Sequence, residues 1–270
     1  MKNFSSTIIS RKVLNVKIII KNEFDMQKLL ILLLLSSSLS AIADSLLTPN
    51  WNNPKYKEEN EIISEIKIND LIVIHMSTVP LWDGKNVCDS PNQALEWILL
   101  SGRISPDSTY VVKKLIEQIK NSPTKCFLKG EDRLLVVLNS EGGYLADGFD
   151  LGELLRKNNA TVLITSIGRC SSSCATAFLG GGSRFMEPGA ELLFHAPYIE
   201  RKDLNKEIVC LSSHDERTKK LLKYMQKMIN KEDGEFLFKR TMSFCSSSDG
   251  WVINDDAAKL LNIANQEIVN

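Results

Sequence analysis

The chain has 270 residues, of which 24% are charged and 43% hydrophobic, and its 33 basic and 33 acidic side chains cancel to no net charge. This is the composition of an ordinary globular protein, and a domain of about 200 residues is long enough to bury a substantial core. A balanced charge gives no support to nucleic-acid binding, so we expect no nucleic-acid partner.

The stretch MQKLLILLLLSSSLSAIAD, which starts at Met26, has the three parts of a secretory signal peptide. Lys28 is basic, an apolar run follows, and Ala41-Ile42-Ala43 fits the cleavage pattern. We therefore expect residues 26–43 to be removed and the protein to be exported, to the periplasm or as a secreted protein. The alternative is an uncleaved anchor, the one case in which we expect contact with a membrane. Because a signal peptide rarely carries a leader, residues 1–25 are interpreted as a mis-assigned leader before a true start at Met26.

Six cysteines follow the expected cleavage site, and an even number in an exported chain favours disulfide bonds. They allow about 15 pairings, among which the sequence does not choose. The chain has no C-x-x-C pair and no histidine pair at metal-binding spacing, so we expect no metal and no cofactor. The disulfide candidates are Cys88, Cys126, Cys170, Cys174, Cys210 and Cys245.

Strand and helix patterns alternate along the chain after a polar segment, 44–65, that we expect to be an exposed arm. The pattern predicts one α/β domain over 66–270, with a largely parallel sheet and flanking helices. The predicted strands are 66–77, 94–104, 133–140, 161–168 and 191–197, and the predicted helices are 105–121, 146–158, 173–180 and 213–229.

Two of the predicted strands end in unusual residues, and the carboxyl end of a parallel sheet is where ligands bind. NSEGG (139–143) follows one strand, and its two glycines let the backbone approach a ligand closely. GRCSSSC (168–174) follows another and leads into a helix start, where backbone N–H groups favour negative charge. Each motif alone also has a structural explanation, since Gly-Gly turns are common and serine is a favoured helix cap.

His195 lies on an apolar strand, LLFHAP, where a lone histidine is more often a core residue than a base. A glycine turn, a serine at a helix start, this histidine and a downstream aspartate follow one another along the chain. That order favours the interpretation of His195 as a base.

These motifs together resemble the proteolytic subunit of the Clp protease family, over roughly 94–265. The family's N-S-P-G-G turn is matched by NSEGG, and its serine before a small-residue helix ending in glycine is matched by SCATAFLGGG from Ser173. An R-F-x-x-P stretch begins at Arg184, a histidine lies two positions before a proline at His195, and Asp249 begins a D-x-aromatic stretch followed by an alanine at Ala257.

The resemblance implies the Clp/crotonase-like fold and a Ser-His-Asp triad of Ser173, His195 and Asp249. Ser173 would attack a carbonyl, His195 would move the proton and Asp249 would orient the imidazole. The oxyanion would be held by backbone N–H groups of the glycine turn, Gly142 and Gly143, and of Cys174.

Ser171 and Ser172 are rival nucleophiles. Ser173 is favoured because nine positions separate it from Gly182, as the family requires. Cys174 as a thiol nucleophile is a lesser alternative. Glu141 departs from the family's proline, and a carboxylate there would oppose a developing oxyanion unless it points away.

The resulting hypothesis is an exported serine hydrolase, most simply a peptidase that cleaves amide bonds in a peptide or protein substrate. The alternative is a catalytically inactive exported scaffold that keeps the same fold. In the family, the helix matched by 213–229 makes contacts between subunits. Its Leu and Met stripe predicts a helix that projects from the body of a homo-oligomer.

Overall fold

The structure is a computed structural model that describes residues 56–82, 85–86, 88, 93–123, 125–126, 134–201 and 207–265. The predicted leader and signal peptide lie outside the described residues. In the part of the chain that the structure describes, no helix is long and apolar enough to cross a membrane.

A seven-stranded mixed sheet forms the centre of the fold, in the order β1-β2-β4-β5-β6-β8 with β3 paired to β2. Neighbouring strands from β4 to β8 are parallel, whereas β1, β2 and β3 add antiparallel pairs at one side. The domain is therefore α/β, as predicted, but its sheet is less uniformly parallel than the sequence suggests. Its strands are β1 (Tyr56–Ile68), β2 (Leu71–Trp82), β3 (Lys85–Asn86), β4 (Leu95–Gly102), β5 (Leu135–Asn139), β6 (Thr161–Ile164) and β8 (Ser183–Met186).

The first hairpin corrects the predicted arm. Residues 56–65, which the sequence places in that arm, belong to β1 and pair with β2 along its length. Asn69 and Asp70 form the turn that joins the two strands, within the predicted strand 66–77, and Asn69 has φ 52. The side chains at 59–61 are polar and exposed, which explains why the strand is hard to recognise in the sequence.

A smaller three-stranded sheet stands at the carboxyl end of the main one. It consists of β7 (Arg169–Ser171), β9 (Glu191–Phe194) and β12 (Trp251–Ile253), in the order β12-β9-β7. A separate hairpin, β10 (Tyr198–Arg201) with β11 (Glu207–Cys210), follows β9.

Six described helices accompany these sheets: α1 (Pro106–Lys120), α2 (Leu145–Lys157), α3 (Ser173–Phe178), α4 (Glu216–Met228), α5 (Lys231–Met242) and α6 (Asp255–Leu260). Their apolar faces join one face of the main sheet in a large buried cluster. A second, smaller cluster lies on the sheet's other face, around Trp97 and Phe185.

Helix α4 packs onto the body of the domain, and the prediction that it projects is wrong. Leu221, Tyr224 and Met225 are buried in the main cluster. The Tyr224 hydroxyl donates to the backbone oxygen of Thr176 at 3.0 Å. Gly152 of α2 lets Tyr224 approach, because a Cβ there would lie 1.8 Å from the Tyr224 hydroxyl oxygen. The Leu and Met stripe is therefore accounted for within one chain.

Candidate active site

The glycine turn after β5 is fitted closely to its neighbours. Gly142 has φ 97, and a Cβ built on it would lie 2.5 Å from the Ser171 carbonyl oxygen and 2.8 Å from the Ser172 Cβ. The Gly142 N–H donates to the Ser140 hydroxyl at 3.0 Å. Gly143 has φ 159, and a Cβ there would lie 1.9 Å from the Ile104 carbonyl oxygen. Only glycine fits at both positions, so the turn is held directly against the serines.

Ser172 occupies the sharp turn between β7 and α3. Its backbone has φ 57 and ψ −118, a conformation that residues with a Cβ rarely adopt. Its N–H donates to the Leu193 carbonyl at 2.8 Å, and its carbonyl accepts from the Thr176 N–H at 3.0 Å. Its side chain is half-buried. Strained residues of this kind cluster at functional sites, where the surroundings hold them in place.

Ser173, the predicted nucleophile, is the first residue of α3 and only 1% exposed. Its hydroxyl has no hydrogen-bond partner among the described residues. It packs against α2, since a Cβ built on Gly148 would lie 2.9 Å from the Ser173 Cβ. The neighbouring Ser171 is buried at the end of β7.

His195 follows β9 directly and is 9% exposed. Since β7 and β9 are parallel, with Ser171 beside Leu193, Ser172 and His195 leave the small sheet at the same edge. The His195 Nδ1 lies 2.9 Å from the Ala196 carbonyl oxygen. Because a carbonyl can only accept, the neutral ring carries its proton on Nδ1 and leaves Nε2 as an acceptor.

Asp249 lies just before β12, which pairs with β9 so that Trp251 faces Phe194. The neighbouring Gly250 packs on the chain next to His195, because its Cβ would lie 2.6 Å from the Phe194 carbonyl oxygen. The carboxylate itself is exposed, and its Oδ1 accepts from the Gly250 N–H at 2.8 Å. The topology thus brings Asp249 to the same corner. No hydrogen bond joins it to His195, or His195 to any of the three serines, in the described chain.

All six cysteines are paired: Cys88 with Cys126, Cys170 with Cys174, and Cys210 with Cys245. The alternative of Cys174 as a thiol nucleophile is therefore wrong, because its sulfur is bonded to Cys170. The Cys174 side chain is fully buried in the main cluster.

The two carboxylates near the glycine turn differ in exposure. Glu141 is exposed, which limits its effect on an oxyanion nearby. Asp147, in the first turn of α2, is 9% exposed, and burial, followed by the charges of Asp150 and Asp107, raises its pKa. Over the described ranges, no group of three or more His, Cys, Asp or Glu side chains is arranged to hold a metal ion.

A strained serine at a strand-to-helix turn is a feature of one class of serine hydrolases, and the match to a family model identifies the family of this chain. The model of the Clp protease family matches residues 110–249, just over half of the chain. The chain therefore belongs to the Clp protease family, a family of serine peptidases.

Several solved structures are similar to the chain at low identity. A mutant of the 1510-N membrane-bound stomatin-specific protease is 13% identical over 62% of this chain and 75% of its own, with a TM-score of 0.46. ClpP1 from Listeria monocytogenes is 19% identical over 64% of this chain and 90% of its own, with a TM-score of 0.44. A mutant of that ClpP1 gives 18% identity, the same coverage and a TM-score of 0.45. No curated protein sequence matches the chain significantly.

Proposed function

We propose that the chain is an exported serine peptidase whose nucleophile is Ser172, the serine immediately before the one that the sequence favours. The observation that carries the proposal is the backbone of Ser172, at φ 57 and ψ −118, in the turn against Gly142. A hydroxyl on so sharp a strand-to-helix turn stands clear of both elements, as in the nucleophile elbow of α/β hydrolases.

Burial separates the two serines further. The Ser173 side chain is 1% exposed and lies against Gly148, so no substrate carbonyl can reach its hydroxyl without movement of α2. Ser172 is half-buried, and its Cβ lies on the side of the glycine turn. A nucleophile must be accessible to the substrate and to its base, and the greater exposure of Ser172 supports its assignment over Ser173.

His195 is proposed as the general base. The Ala196 carbonyl fixes the ring tautomer with Nε2 free to accept the Ser172 proton and later return it to the leaving amine. Asp249 is proposed to support the imidazolium that forms, through a rotation that turns its exposed carboxylate toward the ring. Since the Ala196 carbonyl already holds Nδ1, the tautomer does not depend on Asp249 alone.

The oxyanion hole is proposed to consist of the Gly143 and Ser173 N–H groups. The Ser173 N lies 3.1 Å from the position of a Cβ on Gly142, so it borders the glycine turn. It is also at a helix start, where N–H groups have no partner within the helix. With Ser172 as the nucleophile, this amide takes the place that the sequence assigns to Cys174. The Gly142 N–H is already engaged by Ser140 and serves to shape the turn.

A catalytically inactive scaffold is the second candidate. It is favoured because the histidine and the aspartate of the triad are bonded to other groups. His195 bonds to the Ala196 carbonyl, and the Asp249 carboxylate accepts from the Gly250 N–H. Under this alternative, the turn keeps its shape but hydrolyses nothing.

Hydrolysis of a fluorogenic casein by the mature disulfide-bonded protein tests the proposal. Ser172→Ala is expected to abolish hydrolysis, whereas Ser173→Ala retains most of it. His195→Ala should reduce the rate by at least about 100-fold, the usual contribution of a general base. Full activity of Ser172→Ala would refute the assignment of the nucleophile, and an inactive wild-type protein would favour the scaffold.

Export, a peptide or protein substrate and homo-oligomerisation remain proposals. The three disulfides support export, because such bonds persist in oxidising compartments. Oligomerisation follows from the family alone, since the stripe on α4 is buried within the chain. Sedimentation of the mature protein at high concentration tests it, and a purely monomeric profile would contradict it.

A further inference from the structure

We propose that the Cys170–Cys174 disulfide positions the nucleophile: it holds Ser172 in its strained conformation and so keeps the hydroxyl aimed at the substrate. This inference rests on the proposed function.

The disulfide encloses the strained residue symmetrically. Cys170 lies in β7, paired with Leu192 and bridged to Ser140 beside the glycine turn. Cys174 is the second residue of α3. Ser172 is midway between them, and the two Cα atoms of the disulfide lie 5.1 Å apart. The covalent bond therefore fixes the distance between the strand and the helix that the strained turn connects.

The surroundings of the disulfide are rigid. Both cysteine side chains have 0% exposure and belong to the main buried cluster. Close packing leaves such groups little room to move, so they transmit a constraint to the residues between them. A positive φ at a serine costs free energy and persists only where the structure around it is over-determined.

The length of the loop indicates that this disulfide contributes less to global stability than the other two. Its cysteines are 4 positions apart, against 38 for Cys88–Cys126 and 35 for Cys210–Cys245. Closing a short loop removes little entropy from the unfolded chain, and longer loops remove more. The short bond therefore acts locally, on the turn that contains Ser172.

The test compares two double variants of the mature protein, C170A/C174A and C88A/C126A. The second removes a disulfide that lies away from the serine turn. The rate of labelling by a fluorophosphonate probe is measured at saturating and at low probe concentration. In C170A/C174A we expect the maximal labelling rate to fall at least about tenfold with half-saturation unchanged within about twofold, since small misplacements of a reacting group are costly. In C88A/C126A we expect the maximal rate to stay within about twofold of wild type, although thermal stability falls more.

Hydrogen exchange across residues 168–178 provides a readout that does not depend on activity. We expect faster exchange there in C170A/C174A and little change in the main sheet. If C170A/C174A does not fold, C170V/C174A, which restores part of the lost volume, serves in its place. A maximal labelling rate within twofold of wild type, or unchanged exchange over 168–178, overturns the proposal. A wild-type protein that is never labelled refutes the proposed function instead. Hydrogen exchange over 168–178 then decides whether the disulfide holds the serine turn in place.

Discussion

Replacing Ser172 by glycine should make the protein more stable than replacing it by alanine, although glycine usually weakens folded structure. At φ 57 and ψ −118 the Cβ of residue 172 is the source of strain, and glycine has no Cβ. The hydroxyl is absent from both variants, so the comparison isolates the Cβ.

The expected difference follows from two opposing contributions. A residue held in a sparsely populated backbone conformation costs about 1–3 kcal/mol. Glycine loses more backbone freedom on folding than alanine, which costs about 0.5–1 kcal/mol. The difference favours Ser172→Gly over Ser172→Ala by about 1 kcal/mol, or about 2–4 °C in melting temperature for a chain of this size.

Urea unfolding of the oxidised protein measures this difference, with Ser171 as the matched control. Ser171 lies in β7, its φ is not positive, and it is buried. At Ser171 we expect the usual order, with the glycine variant less stable than the alanine variant by about 0.5–1 kcal/mol. If glycine is also the less stable substitution at 172, the turn is not strained and the basis for choosing Ser172 is lost.

Three further predictions concern the glycine turn, the start of α2 and export. Gly142→Ala should destabilise the fold by more than about 1 kcal/mol and reduce hydrolysis at least about 100-fold, since at φ 97 the new Cβ would lie 2.5 Å from the Ser171 carbonyl oxygen. Unfolding and rate assays on one preparation check both effects, and normal turnover would contradict the prediction. Asp147→Asn should raise the melting temperature at neutral pH, because it removes first the cost of burying a charge and then the repulsion from Asp150 and Asp107, a like-charge contribution of about 0.2–0.5 kcal/mol. Because the pKa of Asp147 is raised on folding, its ionised carboxylate destabilises the fold, and this penalty fades as the pH falls. The melting temperatures of the wild type and of Asp147→Asn should therefore converge below about pH 4. A difference in melting temperature that stays constant down to acid pH would contradict this prediction. Mass spectrometry of the exported protein should find its N-terminus after Ala43 and three disulfides, and an uncleaved chain or free thiols would contradict export.

The order of the central elements could be read from the sequence because strand and helix have different hydrophobic periods. The continuous apolar runs that become β5 and β6 and the striped pattern of α1 are strong signals of this kind. The outer strand β1 lacks such a signal. It is paired on one side only and exposes polar side chains, so its sequence resembles that of a linker.

The sequence predicts a site at the three serines without selecting one of them, and this ambiguity has a physical cause. Three serines precede the helix and three glycines, 180–182, follow it, so the spacing between them does not select one serine. What distinguishes Ser172 is a backbone angle, and what distinguishes Ser173 is its packing against Gly148. Both depend on how α2 and the small sheet meet the turn, which is tertiary information.

The hydrogen-bond partner of His195 and the pairing of the cysteines also depend on tertiary structure. The hydrogen bond from His195 to the Ala196 carbonyl depends on the chain leaving β9 at a particular angle, and the sequence has no pattern for it. The pairing of six cysteines depends on which loops meet in space, as with Cys210 and Cys245, which connect β11 to the segment after α5.

The most direct test of the central claim is to locate the adduct of a fluorophosphonate probe on the wild-type protein. The labelled, oxidised protein is digested, and the modified residue is identified by tandem mass spectrometry within residues 169–184. The account predicts a single adduct on Ser172, absent after Ser172→Ala and present after Ser173→Ala. An adduct on Ser173, or a folded and disulfide-bonded protein that carries no adduct at all, would contradict it.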